Sequence, residues 1–84
     1  MSSKRLLQAG PVIKNFRNKK NFSQEELAHR CLKDRVGISQ LERDIKVPNL
    51  TTLILLAHAF DMKPSELLEE IENYGDNNLF FQKL

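Results

Sequence analysis

Helix-starting signals recur at short intervals along this 84-residue sequence, and no segment alternates apolar and polar residues for long enough to predict a strand. Pro11 suits the first turn of a helix whose apolar face includes Phe16. That helix is expected to stop near Asn21, which tolerates the left-handed conformation of a helix end. Pro64 opens another helix near the C-terminus. Five helices account for most of the chain, so the sequence predicts an all-α fold.

Three polar residues mark the starts of the middle helices. Residues 23–26 predict a capping box, in which the Ser23 hydroxyl accepts the Glu26 N–H and the Glu26 carboxylate reaches back to the Ser23 N–H. Asp34 and Asn49 are suited to cap the next two helices. Because only about three residues separate the second helix from the third, the two must meet at a steep angle, as in a helix-turn-helix unit.

Charge is distributed unevenly along the chain. Residues 1–46 carry eleven Lys or Arg and five Asp or Glu, whereas residues 47–84 carry two Lys and six acidic residues. A basic surface attracts polyanions. We therefore expect the N-terminal half to face a polyanion, with a chance fluctuation between solvated surfaces as the alternative.

The cysteine and the histidines give no sign of a metal or catalytic site. Cys31 is the only cysteine, and neither it nor His29 or His58 has the spacing of a metal site. No nucleophile, base and orienting group occur at a spacing that supports catalysis, so we expect neither an enzyme nor a cofactor. Cys31 is expected to be a small core residue, with a redox switch as the alternative.

Long apolar segments are missing from the sequence. Residues 1–8 contain no apolar run of signal-peptide length, and the longest apolar block, residues 53–57, is far shorter than a membrane span. We therefore expect a soluble, cytoplasmic protein that contacts no membrane.

The middle of the chain carries a series of residues that occur together in one known family. The capping segment is followed, in register, by Ile38 and Ser39 and then by Glu42 and Arg43. Arg17 precedes this series, and its remaining members are Leu27, Ala28, Pro48, Leu50, Thr52, Leu53, Ala57, Ala59, Phe60 and Leu67. Over residues 10–68 the chain therefore resembles the Cro/repressor-type helix-turn-helix regulators, also called the Xre family.

This resemblance implies a five-helix, lambda-repressor-like DNA-binding domain with a helix-turn-helix. We assign residues 10–74 to the domain, residues 1–9 to an N-terminal arm or an extension of the first helix, and residues 75–84 to an apolar tail that is expected to associate with a dimer. The short single-domain length, and Asp34 and Arg35 before Ile38, look like the controller proteins of restriction–modification systems.

The sequence departs from the family pattern in two turns. The family usually has Gly where this chain has Leu32, an apolar residue where it has Lys33, and Gly where it has Asp44. A non-Gly residue in a left-handed turn costs roughly 1 kcal/mol. We therefore expect the first turn to be shaped differently, with Leu32 supplying the missing apolar contact, whereas Asp44 tolerates the left-handed conformation better than most residues.

Residues near the start of a recognition helix reach the base edges of the major groove. In this chain the candidates for base contacts are Arg35, Val36, Gly37 and Gln40, with Ser39 between them. Arg35 suits guanine O6 and N7, Val36 suits a thymine methyl group, and Gln40 suits adenine. Gly37 either permits close approach to the DNA or relieves crowding against the second helix.

A second set of side chains is expected to contact the DNA backbone: Gln24, Ser39, Arg43, Lys46 and Lys14. For any one of these Lys or Arg residues, a solvated surface charge is the alternative. In related repressors the Arg of the first helix pairs with the Glu that ends the third, which implies an Arg17–Glu42 pair here. Phosphate binding by Arg17 is the alternative to that pair.

The last two helices carry more apolar residues than one small core needs. We expect the surplus to form a two-fold dimer interface together with a residue of the tail: Ile54, Leu55, Leu68, Ile71 and Phe80. A tail folded back on its own monomer is the alternative.

Together these features predict a sequence-specific transcriptional regulator that binds a pseudo-palindromic double-stranded DNA operator as a homodimer. Restriction–modification genes are the candidate target, and RNA polymerase is a further candidate partner. An antitoxin or prophage repressor is the first alternative, because its DNA-binding core would look the same. A protein-binding helical adaptor is the second, and it predicts no salt-sensitive affinity for duplex DNA.

Overall fold

The computed structural model describes residues 7–75 and Asn77. Over this part of the chain it has no strand and five helices: α1 (Gly10–Lys19), α2 (Gln24–Arg30), α3 (Arg35–Glu42), α4 (Leu50–Ala59) and α5 (Pro64–Glu72). The predicted all-α, five-helix fold is therefore confirmed. None of these helices is both long and apolar enough to cross a membrane. Most of the predicted arm and tail, including Phe80, lies outside the described residues.

Side-chain caps start the helices largely where the sequence predicts them. Asp34 Oδ1 accepts the Gly37 N–H at 2.8 Å, and Asn49 Oδ1 accepts the Thr52 N–H at 2.8 Å. These local hydrogen bonds satisfy amide groups that have no partner within their helix.

The capping box predicted for α2 is only half correct. Ser23 Oγ accepts the Glu26 N–H at 3.0 Å, as expected. The Glu26 carboxylate, however, accepts a hydrogen bond from Arg30 Nε at 2.9 Å, one helical turn further on, and does not reach back to Ser23. The Arg30 guanidinium, four residues further on, competes with the Ser23 N–H for this exposed carboxylate, and it forms the bond.

All five helices and the segment before α1 contribute to one apolar core. Its buried members are Ala9, Val12, Ile13, Leu27, Ala28, Cys31, Ile38, Leu41, Leu56, Ala57, Phe60, Leu67 and Ile71. Ile71 is only 1% exposed, so its predicted place in a dimer interface is wrong. It lies one turn after Leu67 on the inward face of α5, and both side chains fill the core of their own protomer.

The first four helices end in the same way. Asn21, Leu32, Asp44 and Asp61 each follow a helix by two residues and have φ between 57° and 61°. The next residue then donates its N–H to a carbonyl five positions earlier, for example Lys33 to Ala28 at 2.8 Å. This is the Schellman arrangement, which satisfies carbonyl groups at the end of a helix.

Leu32 contradicts the expectation for the turn between α2 and α3. Its φ of 57° is the conformation that the family's Gly would adopt, so the turn is not reshaped. Its side chain is 84% exposed and supplies no core contact. The chain therefore bears the cost of roughly 1 kcal/mol for a left-handed leucine, whereas Asp44 adopts the left-handed conformation as predicted.

Gly10 lets α1 approach the end of α3 closely. A Cβ atom at this position would lie 2.3 Å from the backbone oxygen of Glu42 and 2.7 Å from that of Leu41. The Gly10 N–H donates to Asp44 Oδ1 at 2.8 Å, so the same contact also satisfies the start of α1. No larger residue fits here without moving one helix away from the other.

We predict that Gly10→Ala lowers the free energy of unfolding by about 1–3 kcal/mol, because the added methyl group would force the two backbones apart. Urea denaturation followed by circular dichroism measures this change. Gly37→Ala is the matched control, since a Cβ there would meet first a side-chain oxygen, Asp34 Oδ1, at 3.1 Å. Equal losses in the two variants would contradict the proposed role of Gly10.

Candidate nucleic-acid interface

Helix α3 has one buried face and one open face. Ile38, Leu41 and Glu42 are buried, and at 100° per residue they lie on one side of the helix. The opposite side carries Val36, Gln40 and Arg43, with Gly37 and Ser39 at its edges. Val36, Gly37 and Gln40, which the sequence predicts for base contacts, thus share the outward side of one helix, and Arg35 is exposed as its first residue.

These residues differ in how exposed they are to solvent. Arg35 and Val36, in the first turn, are exposed, whereas Gly37, Ser39 and Gln40 are half-buried. The Asp34 cap fixes the start of the helix, so the two most exposed side chains project from a defined end. Among the predicted backbone contacts, Arg43, Lys46 and Lys14 are exposed.

Gln24 has a partner that the sequence did not predict. Its side-chain Nε2 donates to Glu42 Oε1 at 3.0 Å. An amide nitrogen carries two hydrogens, so the bond to Glu42 uses one N–H and leaves the second. The hydrogen bond also holds the Gln24 side chain in place at the start of α2.

Arg17 and Glu42 form the ion pair that the family resemblance implies. Arg17 Nε donates to Glu42 Oε2 at 2.5 Å, and Nη2 donates to Oε1 at 3.1 Å. Nη1 donates to the Phe22 carbonyl at 2.9 Å. The Glu42 side chain is 3% exposed, so the pair is largely removed from water. Because Arg17 lies on α1 and Glu42 ends α3, the pair fixes the orientation of α3.

A cleft of about 230 Å³ runs beside the open face of α3. Gly37 and Gln40 line it on the helix side, and Lys46 lines it in the loop before α4. The sequence reasoning missed Lys33 and Asn49, which also line this cleft. The departure from the family pattern at Lys33, an apolar position replaced by a cation, was the signal that could have identified it.

Gly37 faces the cleft and not α2. The three atoms nearest to a Cβ at this position belong to Asp34 and Lys33 in the turn, at 3.1–3.9 Å. Relief of crowding against α2 therefore does not explain this glycine. The absence of a side chain instead leaves room between Lys33 and Gln40.

Several cations of the basic half contact the protein itself. Lys20 Nζ lies 2.8 Å from Asp61 Oδ2, and this hydrogen bond and charge hold the pKa of Asp61 below its usual range. Arg30 pairs with Glu26 and lies over the Phe22 ring at 4.4 Å. The uneven charge along the sequence thus overstates how many cations are available to a ligand.

Cys31 is a core residue, as predicted. It is 1% exposed, and its burial raises the pKa of the thiol, with the charge of Lys33 acting in the opposite direction. Over the part of the chain that the structure describes, no three His, Cys, Asp or Glu side chains come together in a group that could hold a metal ion.

The fold and the open face of α3 define a helix-turn-helix domain of the lambda-repressor type. The helix-turn-helix family HTH_3 matches residues 13–67, well over half of the chain. The chain belongs to this Xre-type family of DNA-binding transcriptional regulators. No curated protein matches its sequence.

Solved structures of regulators share the fold. The restriction-modification controller protein C.AhdI from Aeromonas hydrophila is 33% identical, with a TM-score of 0.68 over 73% of this chain and 92% of that chain. The P22 c2 repressor, solved in complex with a synthetic operator, is 31% identical, with a TM-score of 0.66 over 76% and 94% of the two chains. The clp gene regulator ClgR from Corynebacterium glutamicum is 26% identical, with a TM-score of 0.76 over 94% and 84%.

We predict that Glu42→Ala lowers the free energy of unfolding by about 3 kcal/mol or more, because it leaves the Arg17 charge without its partner in a largely buried place. Thermal or urea unfolding measures the loss. Asp61→Asn, which removes the exposed charge pair with Lys20 and still tolerates the left-handed conformation of this position, is the control and should have a much smaller effect. Replacing Arg17 and Glu42 together by Met should recover much of the loss; a double variant no more stable than Glu42→Ala would refute this explanation.

Proposed function

We propose that this protein is a sequence-specific transcriptional regulator that binds a pseudo-palindromic DNA operator as a homodimer. The observation that carries the proposal is the presentation of α3. Its inward face is buried, its start is capped by Asp34, its end is held by Arg17, and its outward face is open. A helix fixed in this way can enter the major groove without rearrangement.

Base recognition is assigned to the open face of α3. Arg35 donates two hydrogen bonds to guanine O6 and N7, Val36 contacts a thymine methyl group, and Gln40 pairs with adenine N6 and N7. Because Gly37 has no side chain, the start of α3 can approach the base edges of the major groove closely. This assignment uses the most exposed residues of the first turn for direct readout.

Contacts to the DNA backbone flank the open face on two sides. Lys33 and Lys46, at the cleft beside α3, neutralise phosphates of one strand. Arg43, Ser39 and Lys14 supply further contacts. The remaining N–H of the Gln24 amide donates to a phosphate oxygen while the other holds Glu42.

The dimer interface is assigned to apolar residues that the core leaves at the surface. Ile54 on α4 is 37% exposed and Leu68 on α5 is 41% exposed, and Leu55 is half-buried. A two-fold axis through this surface would place two copies of α3 in successive major grooves, about 34 Å apart. The operator is then a pseudo-palindrome.

Control of restriction–modification genes is the narrower function that we favour. The similarity to the controller protein C.AhdI supports it, and that similarity covers 92% of that chain. A phage-type repressor is the second candidate, supported by the 31% identity to the P22 c2 repressor. In either case the protein would act in the cytoplasm, at promoters where RNA polymerase also binds.

Selection of binding sites from random duplexes at two salt concentrations tests the proposal. We expect a two-fold-symmetric motif whose affinity falls as salt rises. Arg35→Ala should cost about 1–3 kcal/mol of binding free energy and relax the preference at one base pair of each half-site. Lys46→Ala should weaken binding to all sequences alike and reduce the salt slope by about 1.

Two results of this selection would contradict the proposal. Weak, uniform binding that does not depend on salt would favour a protein-binding adaptor. An unchanged sequence preference in Arg35→Ala would show that another residue reads that base pair. Lys63→Ala is the matched control for the cations, since Lys63 lies at the start of α5, away from the open face of α3.

We predict that Leu68→Glu converts the dimer to a monomer, because it places a charge in the proposed apolar interface. Sedimentation velocity measures the oligomeric state, and operator affinity should fall with it. Leu32→Glu introduces the same charge at an exposed leucine in the turn between α2 and α3, outside that interface, and should leave the dimer intact. A dimer that persists in Leu68→Glu would exclude this surface.

A further inference from the structure

A groove of about 390 Å³ lies between α1 and α5, away from the open face of α3. Pro11, Val12 and Phe16 form its apolar wall on α1, and Tyr74 follows the end of α5 on the other side. Asn15, Glu70 and Asn73 add polar groups to the lining. Its volume falls within the range of about 300–1,000 Å³ that is usual for ligand clefts.

Asn77 holds the end of the described chain beside this groove, because its backbone N–H donates to the carbonyl of the lining residue Tyr74 at 2.9 Å. Its side-chain Nδ2 donates to the carbonyl oxygens of Gln8 at 2.9 Å and Ile71 at 2.7 Å, and its Oδ1 accepts the Gln8 N–H at 3.0 Å. Gln8 precedes Pro11 by three residues, and Asn77 follows Tyr74 by three. The buried Asn77 therefore joins the segment before α1 to the end of α5, the two helices that form the groove.

We propose that the groove is the docking site of residues 78–84 of the same chain. This segment starts where Asn77 is anchored, and Gly75, with φ of 53°, has already turned the chain away from the axis of α5. Because the segment is covalently linked to the groove, its effective concentration there is higher than that of a separate partner molecule.

The segment is long enough to cover the groove. Its seven residues span about 10 Å as a helix or about 23 Å when extended. The groove runs from Pro11 to Phe16 along α1, which is about 8 Å at the rise of an α-helix. Either conformation of the segment therefore reaches its far end.

The chemistry of the segment matches that of the groove. Four of its seven residues are apolar: Leu79, Phe80, Phe81 and Leu84. Its one charged residue, Lys83, is complementary to Glu70 in the lining. Docking would remove apolar surface of both the segment and the groove from water.

This docking has a consequence for the dimer. If the segment covers α1 and α5 of its own protomer, Phe80 is not part of the two-fold interface. The exposed residues Ile54 and Leu68 then form that interface without the tail. The alternative, in which the tail crosses to the second copy, uses the same groove and is separated from the proposal by the experiment.

The fluorescence of Tyr74 gives a direct readout, because the chain has one tyrosine and no tryptophan. Tyr74 is 39% exposed in the structure. We expect acrylamide to quench it about twofold more efficiently in the full-length variant Phe80→Ser/Phe81→Ser than in the natural chain, because the ring loses its cover. Equal quenching in the two chains would overturn the proposal.

A mixing experiment separates docking within one chain from docking between chains. The Phe80→Ser/Phe81→Ser chain is refolded from urea together with an excess of a Tyr74→Phe chain that keeps its natural tail and is silent at the tyrosine wavelength. Docking within one chain predicts that Tyr74 of the first chain stays as quenchable as before. Recovery of its protection would show that the tail of the second copy fills the groove, and would reject the proposal.

A charge reversal in the groove tests the same idea without altering the tail. Glu70→Lys should raise the quenching of Tyr74, since it places a like charge near Lys83. Glu69→Lys, on the same helix but outside the groove lining, is the matched control and should leave quenching unchanged. Identical quenching in both variants would exclude the predicted contact with Lys83.

Discussion

The orientation of α3 depends on one largely buried ion pair. Arg17 and Glu42 lie 25 positions apart, and each makes more than one hydrogen bond: Arg17 also donates to the Phe22 carbonyl, and Glu42 also accepts from Gln24. Removing two charges from water costs several kcal/mol per ion, and only this complete set of partners offsets it. Such a pair adds little net stability compared with an apolar core. The pair instead gives specificity, because all of its hydrogen bonds form in only one relative arrangement of α1, α2 and α3.

The same arrangement is fixed a second time by backbone contacts. Gly10 allows the start of α1 to touch the carbonyl oxygens that end α3, and Asp44, just after α3, accepts the Gly10 N–H. With the Asp34 cap at its other end, α3 is held at both termini while its outward side chains make no contribution to the core. Exposed residues such as Arg35 can therefore vary without a change in the fold.

Sequence reasoning succeeded where one hydrogen bond or one helical turn carries the signal. The caps at Asp34 and Asn49 connect residues three apart, so a short window contains both partners. It failed where distant segments meet: the contact of Gly10 with the end of α3 and the position of Lys33 at the cleft depend on the packing of helices.

The Arg17–Glu42 pair also joins distant segments, and it was predicted only through the family resemblance. For Ile71, the spacing from Leu67 already indicated the buried face, and treating it as surplus was an error of interpretation.

Leu32 shows why the family pattern predicts the backbone better than local preference does. A leucine avoids the left-handed region, yet the bond from the Lys33 N–H to the Ala28 carbonyl and the burial of Cys31 beside it need that conformation. A cost of roughly 1 kcal/mol at one residue is small against the loss of core contacts that a different turn would require. The tertiary structure therefore determines the conformation of the turn, and Leu32 adopts the left-handed conformation although leucine disfavours it. The exposed Leu32 side chain is the result of that balance, because the left-handed conformation points it away from the core.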